Sequence, residues 1–268
     1  SLLTLSVLIG CILAVQPRSA LAKSSAMLCA EPIVVRVSED YRPFSIRNDN
    51  GIAEGIDVTF LTNVLEAVGC DYQIVFMPWK RALHQLSNGE VDLMPFASIT
   101  EERRQFAYFS KPYRNEVAGL IIRREDVGKY PIRRLDDMIG HQMRLGHTEG
   151  AYRGEMFKQF LSQHEAQNLV FNVNLTSHGI QMLVNDRIDA LVEVPTAAMA
   201  QAELMGVSDA LVAHPLILLS EPVHFMFSKL TVSPMLVEKI NVEIDKAIQT
   251  TTYRALYGVE ALSESSGS

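Results

Sequence analysis

Apolar positions change their spacing several times along this chain, and each change marks an element. From Leu2 to Val15 almost every residue is apolar, with neither the 3.6- nor the 2-residue period. Beyond residue 32 the pattern becomes periodic. Residues 33–37, Ile-Val-Val-Arg-Val, form a short β-branched run of the kind that makes a buried strand. Asp57 then precedes Val58, Leu61, Val64, Leu65 and Val68 at helical spacing, and Gly69 follows, which predicts a helix capped by Asp57 and ended by the glycine. A strand at 72–76 and a helix over 79–87 come next. Pro78 stands at the helix start, and Asn88-Gly89 stops it before a strand at 91–96. After Arg123 a second series begins: a strand at 143–145, a helix over 150–161 capped by Thr148, a strand at 169–173, a helix over 179–184, a strand at 190–194 and a helix over 196–205. A strand at 223–227, a long amphipathic helix over 234–248 and a short helix over 253–257 complete the pattern. Alternating strands and helices predict an α/β fold with a mostly parallel sheet. Two such units joined without a low-complexity linker place a cleft between them, a usual position for a small-molecule site.

The apolar start and the small-x-small triplet Ala20-Leu21-Ala22 predict an export signal over residues 1–22, its basic n-region missing. A membrane anchor is the rival, but the run of roughly 14 residues is shorter than the ~20 needed to span. Leu8-Ile9-Gly10-Cys11 resembles a lipoprotein box, yet the residues after Cys11 stay apolar, so cleavage after the triplet is preferred. The mature chain is expected in the periplasm. There Cys29 and Cys70, each just before a predicted strand, are placed to form a disulfide, the alternative being two free thiols. A formal net charge of -7 without a Lys/Arg run argues against nucleic-acid binding, which needs a basic face.

A family resemblance then emerges from ordered motifs. Tyr41-Arg42-Pro43-Phe44, Gly55-Ile56-Asp57-Val58, Trp79, Gly89-Glu90-Val91-Asp92, Ser98-Ile99-Thr100-Glu101-Glu102-Arg103 and Phe109-Ser110-Lys111-Pro112-Tyr113 come first. Leu145-Gly146-His147-Thr148 and Asp186-Arg187-Ile188-Asp189-Ala190 follow. Together they resemble the polar-amino-acid family of periplasmic solute-binding proteins over about residues 33–257. The resemblance implies a two-lobe Venus-flytrap, type II periplasmic-binding fold with two hinge crossings. Lobe 1 would take residues 23–121 and 222–262, lobe 2 residues 122–221, and 263–268 would be a polar tail. It also implies a monomer that delivers a small carboxylate ligand, an amino acid or a relative, to an ABC transporter permease. No cofactor and no metal site is expected.

Arg103, following the expected cap Thr100, offers a planar pair of donors matched to a carboxylate, and by position it matches the family arginine that grips one. Ser98, with Phe96 and Ala97 on the same loop, would add a hydroxyl and backbone groups. Thr148 matches a family threonine on the same carboxylate, placed at a helix start where free amides favour an anion. His147 is its neighbour. Tyr41 and Trp79 match aromatic positions that sandwich the ligand side chain, and aromatic faces hold apolar groups or cations alike. Where the family often has an Asp for an α-ammonium, this chain has Val194. Glu193 reaches the place only with a one-residue shift, so the ligand either pairs with Glu193 or lacks an ammonium.

Two other functions remain open. An enzyme resembling cyclohexadienyl dehydratase shares the expected fold, but apart from Glu193 no cleft acid, no nucleophile with a base, no H-E-x-x-H and no phosphate loop appears. A sensor or accessory ligand-binding module is the second, with a free-standing binder preferred.

Overall fold

The computed structural model describes residue 29 and residues 31–262. The expected signal over 1–22 and the tail over 263–268 lie outside the described residues. In the first stretch come β1 (Ile33–Val37), the short strands β2 (Asp40–Tyr41), β3 (Ser45–Arg47) and β4 (Ala53–Glu54), α1 (Ile56–Val68), β5 (Tyr72–Phe76), α2 (Trp79–Ser87), β6 (Leu93–Ala97) and α3 (Glu101–Phe106). The 17-residue β7 (Ala107–Arg123) leads into α4 (Leu135–Gly140), β8 (Leu145–Thr148), α5 (Glu155–Leu161), α6 (His164–Gln167), β9 (Val170–Val173), α7 (Thr176–Val184), β10 (Ala190–Glu193) and α8 (Pro195–Leu204). The 18-residue β11 (Leu211–Ser228) returns, and α9 (Pro234–Ala247) and α10 (Thr251–Tyr257) follow.

One eight-stranded sheet runs in the order β5-β1-β6-β11-β7-β10-β8-β9, and β2, β3 and β4 form a small sheet of their own. Strands β1, β5 and β6 are parallel at one end, as are β8, β9 and β10 at the other. The antiparallel pair β7 and β11 serves both ends. Phe227 of β11 faces Leu93 of β6, whereas Ile122 of β7 faces Ala190 of β10. The chain therefore passes twice between two α/β lobes, and the expected limits at 121/122 and 221/222 fall inside these two strands.

Each lobe has its own core. In the first, Leu61 and Leu65 of α1 and Ile240 of α9 pack on Val35, Leu93 and Phe225 of the sheet. In the second, Leu145, Phe157 and Met138 fill one face, and Leu191, Ile180 and Ala198 the other. Cys29 is bonded to Cys70 with Cα atoms 5.5 Å apart. Among the described residues no helix is long and apolar enough to cross a membrane.

Three local readings need correction. The helix after Gly55 begins one residue before Asp57. Gly55 is its cap at φ +125°, where a Cβ would lie 2.3 Å from the Phe44 carbonyl oxygen, so only glycine fits. Asp57 is instead buried, accepting from Tyr113, Arg114 and Tyr257. The helix expected from residue 150 starts at Glu155, because Thr148 ends β8 and residues 149–154 form a loop closed by Gly154 at φ +94°. Periodicity predicts no strand over 107–123 and only 223–227 of β11, so both long strands come from the structure. In the middle of β7, Arg114 and Glu116 are buried by pairing with each other and with charges from elsewhere.

Candidate functional site

The parallel strands of both lobes point their carboxyl ends at one cleft, the position where open α/β sheets hold ligands. Arg36 and Ser38 come from the end of β1, Asp40 and Tyr41 from β2, and Phe96 and Ser98 from β6. Trp79 opens α2, Arg103 lies in α3 and Glu116 in β7. Thr148 ends β8, Tyr152 and Arg153 sit on the following loop, Thr176 opens α7 and Glu193 ends β10. The space among these residues is about 620 Å³ with the open solvent at its mouth included.

Arg103 is placed by its own cap. The Thr100 hydroxyl accepts from the Arg103 backbone N–H at 3.2 Å, which fixes the first turn of α3. Its guanidinium donates to the Ser98 carbonyl at 2.8 Å and, across the cleft, to the Gly150 carbonyl at 3.0 Å. Trp79 Nε1 donates to the same Gly150 oxygen at 3.0 Å. Among the described residues no carboxylate pairs with Arg103, and burial draws its pKa down to about 10. Arg36 is in the same situation. Its Nε and Nη2 donate to the Met77 carbonyl at 3.0 and 2.8 Å, and burial takes it to about 9. Both guanidinium carbons stand over the Trp79 ring, Arg36 at 5.3 Å and Arg103 at 5.4 Å, and Arg36 also lies 5.9 Å from the Phe96 ring centre.

A third guanidinium, Arg153, is spent differently. It donates to Glu193 at 2.7 Å and to Glu116 at 3.3 Å, while Glu116 also accepts from Tyr41 at 2.8 Å and from Arg114 at 3.0 Å. Burial opposes the Arg153 charge, but Glu193 and Glu116 outweigh it and hold its pKa up. Burial pushes the Glu193 carboxyl up, partly offset by Arg153 and the Val194 N–H. Glu193 thus faces the cleft but already has its cation.

Of the residues singled out from sequence, Tyr41, Trp79, Phe96, Ser98, Arg103, Thr148 and Glu193 meet at this cavity. Ala97 and His147 do not line it, because side chains alternate along a strand and their neighbours Phe96 and Thr148 take the cleft side. Ala97 packs in the core behind Trp79. His147 packs edge-on against Phe157 at 4.8 Å, its Nδ1 without a partner, and burial followed by the Arg153 charge pushes its pKa down to about 3. Sequence reasoning missed Arg36, Asp40, Glu116, Arg153 and Thr176. Only Arg36, a charge inside an otherwise apolar strand, carried a signal.

Cyclohexadienyl dehydratase from Pseudomonas aeruginosa is 34% identical over 80 residues, 30% of this chain and 30% of that protein. A probable histidine-binding protein of Neisseria gonorrhoeae is 32% identical over 95 residues, 34% of this chain and 35% of that one. The chain thus spans about a third of the length of these curated relatives. The arginine-, lysine-, histidine-binding protein ArtJ from Geobacillus stearothermophilus superposes with a TM-score of 0.70 at 23% identity, over 86% of this chain and 96% of that one, and shares the two-lobe type II fold. The family model for bacterial extracellular solute-binding proteins, family 3, matches residues 33–258 and so takes in both lobes. The chain belongs to that family, the bacterial extracellular solute-binding proteins, family 3.

Proposed function

We propose that this protein captures a small carboxylate-bearing metabolite, an amino acid or a near relative, between its lobes in the periplasm and, as a monomer, delivers it to an ABC transporter permease. Lobe limits near 121/122 and 221/222 belong to this reading. One observation carries it: Arg103 is buried at the cleft without an acidic partner among the described residues, and Ser98 and Thr148 line the same cavity. A buried cation held only by carbonyls gains most from an anion that arrives with two lone-pair directions to match its fork. Support also comes from the family and from relatives named for amino-acid binding. Arg103 belongs to the first lobe and Thr148 to the second, so a ligand touching both would favour closure over the open state.

Replacing Arg103 by Ala is expected to cost roughly 2 to 5 kcal/mol of carboxylate binding, the range for truncating one partner of a buried charge pair. Calorimetry on the folded variant reads this directly. Unchanged affinity would remove Arg103 from the site and the proposal with it.

An enzyme on the same scaffold is the second reading. It is favoured by Glu193, a cleft carboxyl whose pKa is raised by burial as a general acid requires, and by the partial similarity to the Pseudomonas dehydratase. Against it, Arg153 at 2.7 Å stabilises the ionised form of that carboxyl. Loss of water from a cyclohexadienyl acid on incubation with the protein would establish it in place of simple binding.

A further inference from the structure

The charges of the cleft are unevenly matched. Among the lining groups, Arg153 takes both Glu116 and Glu193, which leaves Arg36 and Arg103 facing Asp40 alone. Asp40 is itself occupied, accepting from the Ser177 N–H at 2.8 Å. No acidic side chain lies within ion-pair distance of Arg36 or Arg103 among the described residues. Glu39 is the acidic group whose charge reaches Arg36, and it stands 4.0 Å from Arg47; Glu102 and Glu116 act on Arg103 only at a distance.

Two features that would recognise a basic amino acid are already used by the protein's own arginines. The aromatic slot of Trp79 and Phe96, open to a cation in principle, carries the Arg36 guanidinium. The carboxylate best placed for an α-ammonium, Glu193, carries Arg153. A cationic side chain entering this slot would meet two guanidiniums and lose energy to repulsion. A second acidic group on the ligand would supply the missing counter-charge.

Resting on the reading of Arg103 as a carboxylate receptor, we infer that the ligand is a small dicarboxylate, with one acid held by Arg103 beside Ser98 and the other by Arg36 at the same Trp79 ring. Whether it also bears an amino group is a separate matter, for which Asp40 is the lining carboxylate not committed to a guanidinium.

The test pairs each diacid with its own monoamide, which keeps the shape and removes one charge. Calorimetry on the whole chain would use glutamate with glutamine, aspartate with asparagine, glutarate with its monoamide and phthalate with phthalamate, plus arginine as a cationic probe. At least one diacid is expected to bind roughly tenfold or more tightly than its monoamide, the worth of one charge-assisted contact, with arginine weaker than both. In Arg36→Gln that preference should shrink by about tenfold, with the monoamide changing by no more than about twofold. Should that variant fail to fold, the wild-type pairs decide alone. Amides or arginine binding as tightly as the diacids in every pair would overturn the dicarboxylate assignment. If that binding still requires Arg103, the carboxylate reading survives on its own. No binding by any member would end both.

Discussion

At the scale of single residues the site is an exchange of partners among four arginines. Arg114 and Arg153 are ion-paired with Asp57, Glu116 and Glu193, while Arg36 and Arg103 are held by carbonyl oxygens and aromatic faces. A buried ion pair need not stabilise the fold, but breaking one leaves a stranded charge, so the paired arginines fix the shape of the cleft floor and the others face its contents. His147 adds a pH effect just behind the site. Its folded pKa lies below its unfolded value, from about 6.5 down to about 3, so its contribution to stability is complete above pH 6.5 and is lost as the pH falls toward 3. His214 and His224 are depressed by burial too, and the raised carboxyls of Asp57 and Glu193 act in the opposite sense. His147→Phe should therefore flatten, not abolish, the acid loss, recovering no more than about 5 kcal/mol at pH 3. Urea titrations of both proteins in pH steps from 7 to 3 would show parallel curves if His147 were already charged in the folded state.

Among elements, the junction of β2 with α7 links the lobes. Helix α7 has Leu175 at its cap position, which offers no side-chain acceptor, and the amide of Ser177 is satisfied instead by Asp40 from β2, 137 residues away in sequence. A carboxylate at a helix start complements both the free N–H and the dipole. A parting of the lobes would break this bond, which makes Asp40 the residue to test as a latch on closure. Asp40→Ala should weaken ligand binding by about 0.5 to 2 kcal/mol, seen in stopped-flow as faster dissociation. An equal fall in melting temperature with and without ligand would assign Asp40 to the fold instead. The loop over residues 149–154 belongs to the same scale. Gly154 lets it lie against β11, where a Cβ would come 2.5 Å from the Leu218 carbonyl oxygen, and this contact delivers Arg153 to the two glutamates.

For the whole molecule, β7 and β11 are the frame through which the lobes communicate. Gly150 accepts from both Trp79 and Arg103, and Lys80 pairs with Glu149, so one short segment of the second lobe meets the first at the rim of the cavity. The disulfide lies far from this rim in function, tying Cys29 to the start of β5 across 41 residues. Reduction should lower unfolding stability by about 2 to 4 kcal/mol, the usual worth of such a tie, without altering ligand affinity in the remaining folded protein. Denaturant curves with and without reductant, beside calorimetry on the reduced protein, check both halves of that expectation.

What the sequence determined by itself was local. Helical spacing and a terminal glycine located α1 and its end at Gly69, and Thr100 three residues before Arg103 located α3, because caps and periods act within one or two turns. Ordered motifs then indicated the two-lobe family fold and seven residues of the cleft. Tertiary structure decided everything that depends on partners distant in sequence. Strand β7 buries Arg114 and Glu116, which pair with each other, with Asp57 and with Arg153, and the last two come from segments far away along the chain. The same is true of the ligand slot. Trp79 and Glu193 read as open receptors along the chain, and only folding brings Arg36 over the one and Arg153 onto the other, since charge pairing across 40 residues or more leaves no periodic trace.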